Sequence, residues 1–154
     1  MDALHKMIIL ATKAHSGQKD KAGKPYILHP LWVMSMLAKT HSDMDLLCIA
    51  VGHDLLEDTD IKIDDLKAEG FNSRVIDGIV ALTKIEGESY SEYKQKVFSS
   101  KDAMRVKFYD LSHNMDLKRL KEVSESDYVR HKRYKAFRDQ IRSELSDDRL
   151  IASP

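Results

Sequence analysis

Asp45-Leu46-Leu47-Cys48-Ile49-Ala50-Val51-Gly52-His53-Asp54 decides the fold. Leu46, Leu47, Ile49, Ala50 and Val51 cover most of the circumference of a helix. A helix that is apolar nearly all round is one buried among others. Ser42 is expected to cap it, with Asp43 and Asp45 favourable in its first turn. The run ends on His53 and Asp54, so the most buried helix carries two ligand-type side chains inward.

Outward from this helix, three- and four-residue spacing dominates. Leu4, Met7, Ile8, Ala11 and Ala14 make a first amphipathic helix, stopped near His15-Ser16-Gly17. A polar loop from Gln18 to Pro25 follows. Pro30 suits the first turn of a second helix, whose buried face is Leu31, Met34, Leu37 and Ala38. Asn72 or Ser73 opens another helix carrying Val75, Ile76, Ile79, Val80 and Leu82. Shorter helices are expected over 62–69 and 89–99, and longer ones over 101–120 and 126–145. Two short strands could form in Lys24 to Leu28 or Asp60 to Ile63 without changing the class. The expected fold is all-α: a single-domain helical bundle over residues 1–145, with a loose C-terminal tail over 146–154.

The chain has 154 residues, enough for one domain with a real core. Lys+Arg and Asp+Glu both number 25, so no global basic excess points to nucleic acid, and any anion recognition must be local. Cys48 is the single cysteine, which excludes an intrachain disulfide and a multi-cysteine zinc site and fits a reducing cytoplasm. Its apolar neighbours make it a packed core thiol. No apolar run approaches the roughly 20 residues that span a bilayer, and the N-terminus lacks a signal peptide's apolar segment. A cytoplasmic monomer or homodimer is expected.

His53 and Asp54 project about 100° apart on a helix, so both reach one ion only at its inner edge or at a distorted terminus. Glu57 lies four residues from His53, and Asp58 four from Asp54, which keeps two more acids on the neighbouring surface. With His29 upstream and Asp110 downstream, two imidazoles and two carboxylates form a mixed N/O set. Such a set favours Mn²⁺, Fe²⁺ or Mg²⁺ with open water positions over a closed zinc site. Taken singly, each residue reads as ordinary structure. His53-Asp54 could be a helix-end salt bridge, His29 a loop end before Pro30, Asp110 a surface partner of Lys107 or Lys118, and Glu57-Asp58 a solvated acidic helix end. The last placement opposes the helix dipole, which favours a nearby cation.

The order and contexts of these residues carry more than any one of them. Ala14-His15-Ser16-Gly17-Gln18, Gly23-Lys24-Pro25-Tyr26-Ile27-Leu28-His29-Pro30-Leu31, His53-Asp54-Leu55-Leu56-Glu57-Asp58-Thr59 and Arg105 to Met115 together resemble the HD-domain hydrolases. Within them the likeness is to the RelA/SpoT-type (p)ppGpp hydrolases and their stand-alone small alarmone-hydrolase branch, active in the stringent response. The resemblance implies an HD-type bundle. It implies His29, His53, Asp54 and Asp110 as ligands of a divalent metal, usually Mn²⁺, and Glu57 and Asp58 as the catalytic acidic pair. It implies Lys21 and Asn114 as nucleotide-binding residues and His15 as a structural histidine beneath the loop. Lys107 could balance pyrophosphate charge or be a surface lysine.

The implied reaction removes the 3′-pyrophosphate from ppGpp or pppGpp, giving GDP or GTP and pyrophosphate. The chain departs from the family pattern at Asp20, where an arginine that stacks on guanine is usual, and at Ala22, Tyr109 and Leu111-Ser112. An adenosine alarmone, another 3′-phosphorylated nucleotide or NADPH therefore stands beside ppGpp as a substrate. The same residues also fit hydrolysis of a nucleoside monophosphate, or a non-catalytic alarmone-binding module.

Overall fold

In the computed structural model, which describes residues 1–146, the helix expected at the centre is at the centre. It is α3, Met44–Gly52, and every residue from Leu46 to Gly52 is buried. Around it pack α1 (Ala3–Ala14), α2 (Leu28–Ala38), α6 (Ser73–Ala81) and α8 (Lys101–Asn114). The short helices α4 (Leu55–Asp58) and α5 (Ile63–Ala68) link α3 to α6. α7 (Tyr90–Phe98) and the long α9 (Glu125–Glu144) close the bundle against α8. The fold is all-α, and no strand occurs among the described residues. The stretches Lys24 to Leu28 and Asp60 to Ile63 form none, and Lys19 and Pro25 make only an isolated bridge. Among the same residues, no helix is long and apolar enough to cross a membrane.

The helix ends follow capping chemistry, and two of them differ from expectation. Asp43, not Ser42, caps α3: its carboxylate accepts from the N–H groups of Asp45 and Leu46. Both residue types cap well, and the acid also meets the positive end of the dipole. The helix expected over 101–120 stops at Asn114. Asp116 then accepts from the N–H of Lys118 and starts a separate 3₁₀ turn, Leu117–Arg119. Asn72 rather than Ser73 caps α6, and Pro30 sits in the first turn of α2. Cys48 is fully buried, and burial pushes its thiol up to about 11, as befits an inert core residue. Apart from Ser146, the expected tail lies outside the described residues.

Glycine sets two close approaches in this core, at Gly52 and Gly78. Gly78 of α6 lies so near α3 that a β-carbon there would stand 2.5 Å from Ile49 Cδ1. The missing side chain lets α6 seat against the central helix that delivers His53.

Candidate metal centre and the cavity beside it

α3 ends at Gly52, one residue before the two ligand-type side chains. His53 is its C-terminal flank and Asp54 opens α4, so the break between two helices turns adjacent side chains toward one point. Glu57 and Asp58 are the last two residues of the helix that follows this break. They lie on α4, a separate single turn.

His53 Nδ1 donates to the carbonyl of Ala50 at 2.6 Å, which turns Nε2 inward. That Nε2 is buried and has no hydrogen-bond partner. It lies 3.1 Å from Asp54 Oδ2 and 3.4 Å from Asp110 Oδ1. His29, on the first turn of α2, brings its Nε2 to 2.9 Å from Asp110 Oδ1 and 3.7 Å from Asp54 Oδ2. Four side chains from α2, α8 and the α3–α4 junction thus converge, with His29, His53 and Asp110 all buried. An orphaned inward-facing imidazole nitrogen beside two carboxylates and a second imidazole fits a divalent cation. These four residues are able to hold one as an N/O set open on one side.

The electrostatics agree with that fit. Burial opposes a charge on His53, but Asp54 and Asp110 outweigh it and raise the imidazole well above its ordinary value. A cation would displace that proton. Burial likewise works against the carboxylates. Even so, His53 draws Asp54 down to about 2, and Lys107, His29 and His53 hold Asp110 well below the carboxylate range.

Outer contacts hold the four in place. Tyr26 donates to Asp54 Oδ2 at 2.6 Å. Lys107 donates to Asp110 Oδ2 at 2.7 Å and Asn114 Nδ2 to Asp110 Oδ1 at 3.0 Å. Lys107 is therefore no surface lysine: it is mostly buried, with its ammonium over the Tyr93 ring. His29 Nδ1 meets His113 Nδ1 at 2.7 Å, and His113 is stacked between His29 and Trp32. Burial, then the neighbouring His29, depresses His113 to about 4, so it is neutral near pH 7 and one of its nitrogens is able to accept from His29.

Glu57 and Asp58 stand beside Asp54, and their carboxylate oxygens lie within 4.8 Å of one another and of an Asp54 oxygen. Both reach solvent. The protein packed beneath them and the charge of Asp54 nonetheless raise both above their ordinary values. Glu57 Oε1 also accepts from the N–H of Lys84 at 2.7 Å. A carboxyl that holds its proton more tightly than usual is able to exchange it with a reacting oxygen.

A cavity of about 410 Å³ opens next to His29. Lys21, Tyr26, His29 and Asn114 line it together with Asp20, Arg119 and the α9 residues Asp127, Arg130 and Tyr134. Lys21 is at its mouth, 3.7 Å from Asp127. Lys107 is not in this lining and sits behind Asp110 instead. His15 is buried under the loop with Nδ1 2.8 Å from Gln18 Oε1, and its buried Nε2 has no hydrogen-bond partner. Sequence reasoning assigned no role to Tyr26, His113 or Arg119. Tyr26 and His113 stood in motif stretches, but nothing local told that they would touch Asp54 and His29.

Residues 8–109 match the HD domain family. A guanosine-3′,5′-bis(diphosphate) 3′-pyrophosphohydrolase of Vibrio cholerae is 36% identical over 101 residues, 64% of this chain and 14% of that protein. A protein of the same name from Aquifex aeolicus is 35% identical over 111 residues, 69% of this chain and 16% of that protein. The chain thus spans about a sixth or less of these relatives. A solved structure described as a metazoan ortholog of SpoT that hydrolyses ppGpp and plays a role in starvation responses superposes with a TM-score of 0.74. The match covers 94% of this chain and 86% of that one at 22% identity, a likeness of fold. With the family match over most of its length, this chain belongs to the HD-domain family.

Proposed function

We propose that the chain is a divalent-metal-dependent hydrolase that removes the 3′-pyrophosphate of ppGpp or pppGpp, with Mn²⁺ as its ion and residues 1–145 as the catalytic domain. The observation that carries the reading is the orphaned Nε2 of His53, set among His29, Asp54 and Asp110 next to the raised carboxyls of Glu57 and Asp58. The names of the bacterial relatives support the substrate class.

His29, His53, Asp54 and Asp110 would hold the cation. When bound, it would polarise a phosphoryl oxygen and make water more acidic. The chain's own residues supply the rest. A water oxygen attacks the phosphorus attached to the ribose 3′ oxygen, and the bond from that phosphorus to the 3′ oxygen breaks. Glu57 and Asp58 take the proton from the water and return one to the leaving 3′ oxygen, a task that burial and the charge of Asp54 favour by raising both carboxyls above their ordinary values. Lys107 and Asn114 fix Asp110, and Lys107 adds a positive charge beside the acids. The cavity bordered by Lys21, Tyr26 and Asn114 receives the nucleoside.

The test is a product assay with purified Mn²⁺-loaded protein and ppGpp, pppGpp, pppApp and NADPH in parallel. Pyrophosphate with GDP or GTP is expected. Turnover of pppApp or NADPH alone would move the substrate to the adenine class, and monophosphate release would make the chain a phosphomonoesterase. Binding of ppGpp without turnover would make it a sensor module.

A further inference from the structure

Asp20 and Arg119 are 99 residues apart in sequence and line the same cavity. Asp20 divides its two oxygens between two tasks. Oδ1 accepts from the N–H groups of Ala22 and Lys24, both at 2.9 Å, and so shapes the loop between α1 and α2. Oδ2 lies 3.4 Å from Nη2 of Arg119, on the 3₁₀ turn after α8. Arg119 is held a second time, because its Nη1 donates to the carbonyl of His113 at 2.7 Å. A guanidinium has five N–H donors in a rigid plane. Two anchors fix that plane and leave further donors for a ligand in the cavity.

Of the other cations that line the cavity, Lys19 is exposed, and Lys21 and Arg130 are held less well for such a role. Lys21 is largely exposed at the mouth and rests loosely on Asp127, 3.7 Å away. Arg130 is paired with the same Asp127 at 3.0 Å, within its own helix. Arg119 alone among these three is seated by contacts from two other segments, the loop and the end of α8. Those segments also adjoin Tyr26 and His29, so the guanidinium stands at a fixed place relative to the candidate metal centre.

We infer that Arg119 contacts phosphate oxygens of the nucleotide and that Asp20 is its positioning residue, so that the loop acid strengthens binding of an anionic substrate. This rests on the nucleotide phosphohydrolase reading above. The sign is what makes it testable. An acid facing the phosphate directly would repel it, and removing its charge would tighten binding. An acid whose charge is spent on orienting a cation does the opposite.

Asp20→Asn separates the two cases, since the amide oxygen still accepts from Ala22 and Lys24 while the charge toward Arg119 is lost. The full chain, Mn²⁺-loaded, is assayed for ppGpp hydrolysis and, by calorimetry, for GTP binding. Variants are Asp20→Asn, Arg119→Ala, Arg119→Lys and the Asp20→Asn/Arg119→Ala double. Each of Asp20→Asn and Arg119→Ala is expected to raise KM and the GTP Kd by roughly tenfold, the scale of a charge-assisted hydrogen bond. kcat and Tm should stay near those of the parent, Arg119→Lys should fall between, and the double should be no worse than Arg119→Ala. Tighter binding by Asp20→Asn, additive effects in the double, or a joint fall of kcat and Tm would overturn the inference. If the parent binds GTP but leaves ppGpp intact, the hydrolase reading fails while the Kd series still decides Arg119. If the parent hydrolyses ppGpp without binding GTP, the KM series decides it. If it does neither, both readings fall.

Discussion

Tyr26 donates its hydroxyl hydrogen to Asp54 Oδ2 at 2.6 Å, joining the loop before α2 to the junction of α3 and α4. That oxygen is the one facing the imidazoles of His53 and His29, at 3.1 and 3.7 Å. Outer hydrogen bonds of this kind fix a ligand's direction and typically govern metal affinity by roughly 10- to 100-fold. Tyr26→Phe keeps the ring between His15 and His29 and removes only the donor. We expect about tenfold weaker Mn²⁺ binding by titration calorimetry with the helical circular dichroism unchanged. Unaltered affinity would show that Asp54 is oriented by α4 alone.

The proposed division between ligands and proton carriers predicts a split between two variants. His53→Ala removes the inward Nε2 and should lower Mn²⁺ affinity by more than the roughly 10- to 100-fold that outer partners cost. Glu57→Gln should keep most of the metal and lose roughly 10²- to 10⁴-fold in kcat, the usual worth of a positioned acid or base. Metal analysis by mass spectrometry alongside turnover separates them. Equal metal loss in both would place Glu57 among the ligands.

Much of this is legible in the sequence. The apolar run at 46–51 reads as the central helix because burial on all sides leaves no polar face to hide. His53 and Asp54 then inherit their inward position from it. What the chain could not disclose is which remote segments meet. Asp20 gave no sign of Arg119, nor Asp54 of Tyr26, because tertiary pairing leaves no mark on local spacing. Lys107 reads equally as a charge for pyrophosphate or as a surface lysine, and neither reading buries it, since lysines are seldom buried. It is covered because α8 is flanked by α2, α7 and α9, and it is compensated by Asp110. The end of α8 was missed for a different reason. No glycine or proline marks Asn114, and the break comes from Asp116 capping a new turn.

The seat of α6 on α3 makes a stability prediction. Gly78→Ala would gain about 1 kcal/mol of helix propensity, but its β-carbon would press on Ile49 Cδ1 and Cγ1, at 2.5 and 2.8 Å. Overpacking of a tight core costs about 1–3 kcal/mol, so a net loss of about 1 kcal/mol is expected in urea denaturation. Ile49→Val in the same chain removes Cδ1 and should recover part of it. Strict additivity of the two losses would mean that the space at Gly78 is not set by Ile49.

Arg74 ties three helix starts together and gives the protein an acid-sensitive brace. In the first turn of α6 its own charge opposes the helix dipole. It is offset by Asp43, which caps α3, at 2.7 Å, and by Asp102 in the first turn of α8, at 2.9 Å. The Arg74 hydrogen bonds, aided by the N–H groups at the start of α3, hold Asp43 below the ordinary 3.8. A carboxylate depressed in the folded state stabilises the protein above its unfolded pKa and ceases to do so as pH falls through its folded pKa. Arg74→Ala should therefore cost about 1 kcal/mol at pH 7, the upper range for partly exposed pairs. The difference from the parent should narrow as pH falls below about 3.8. Urea melts of both proteins at neutral pH and at a series of acid pH values measure this gap. A gap that stays constant into the acid range would assign the contribution of Arg74 to packing of its aliphatic stem rather than to its charge.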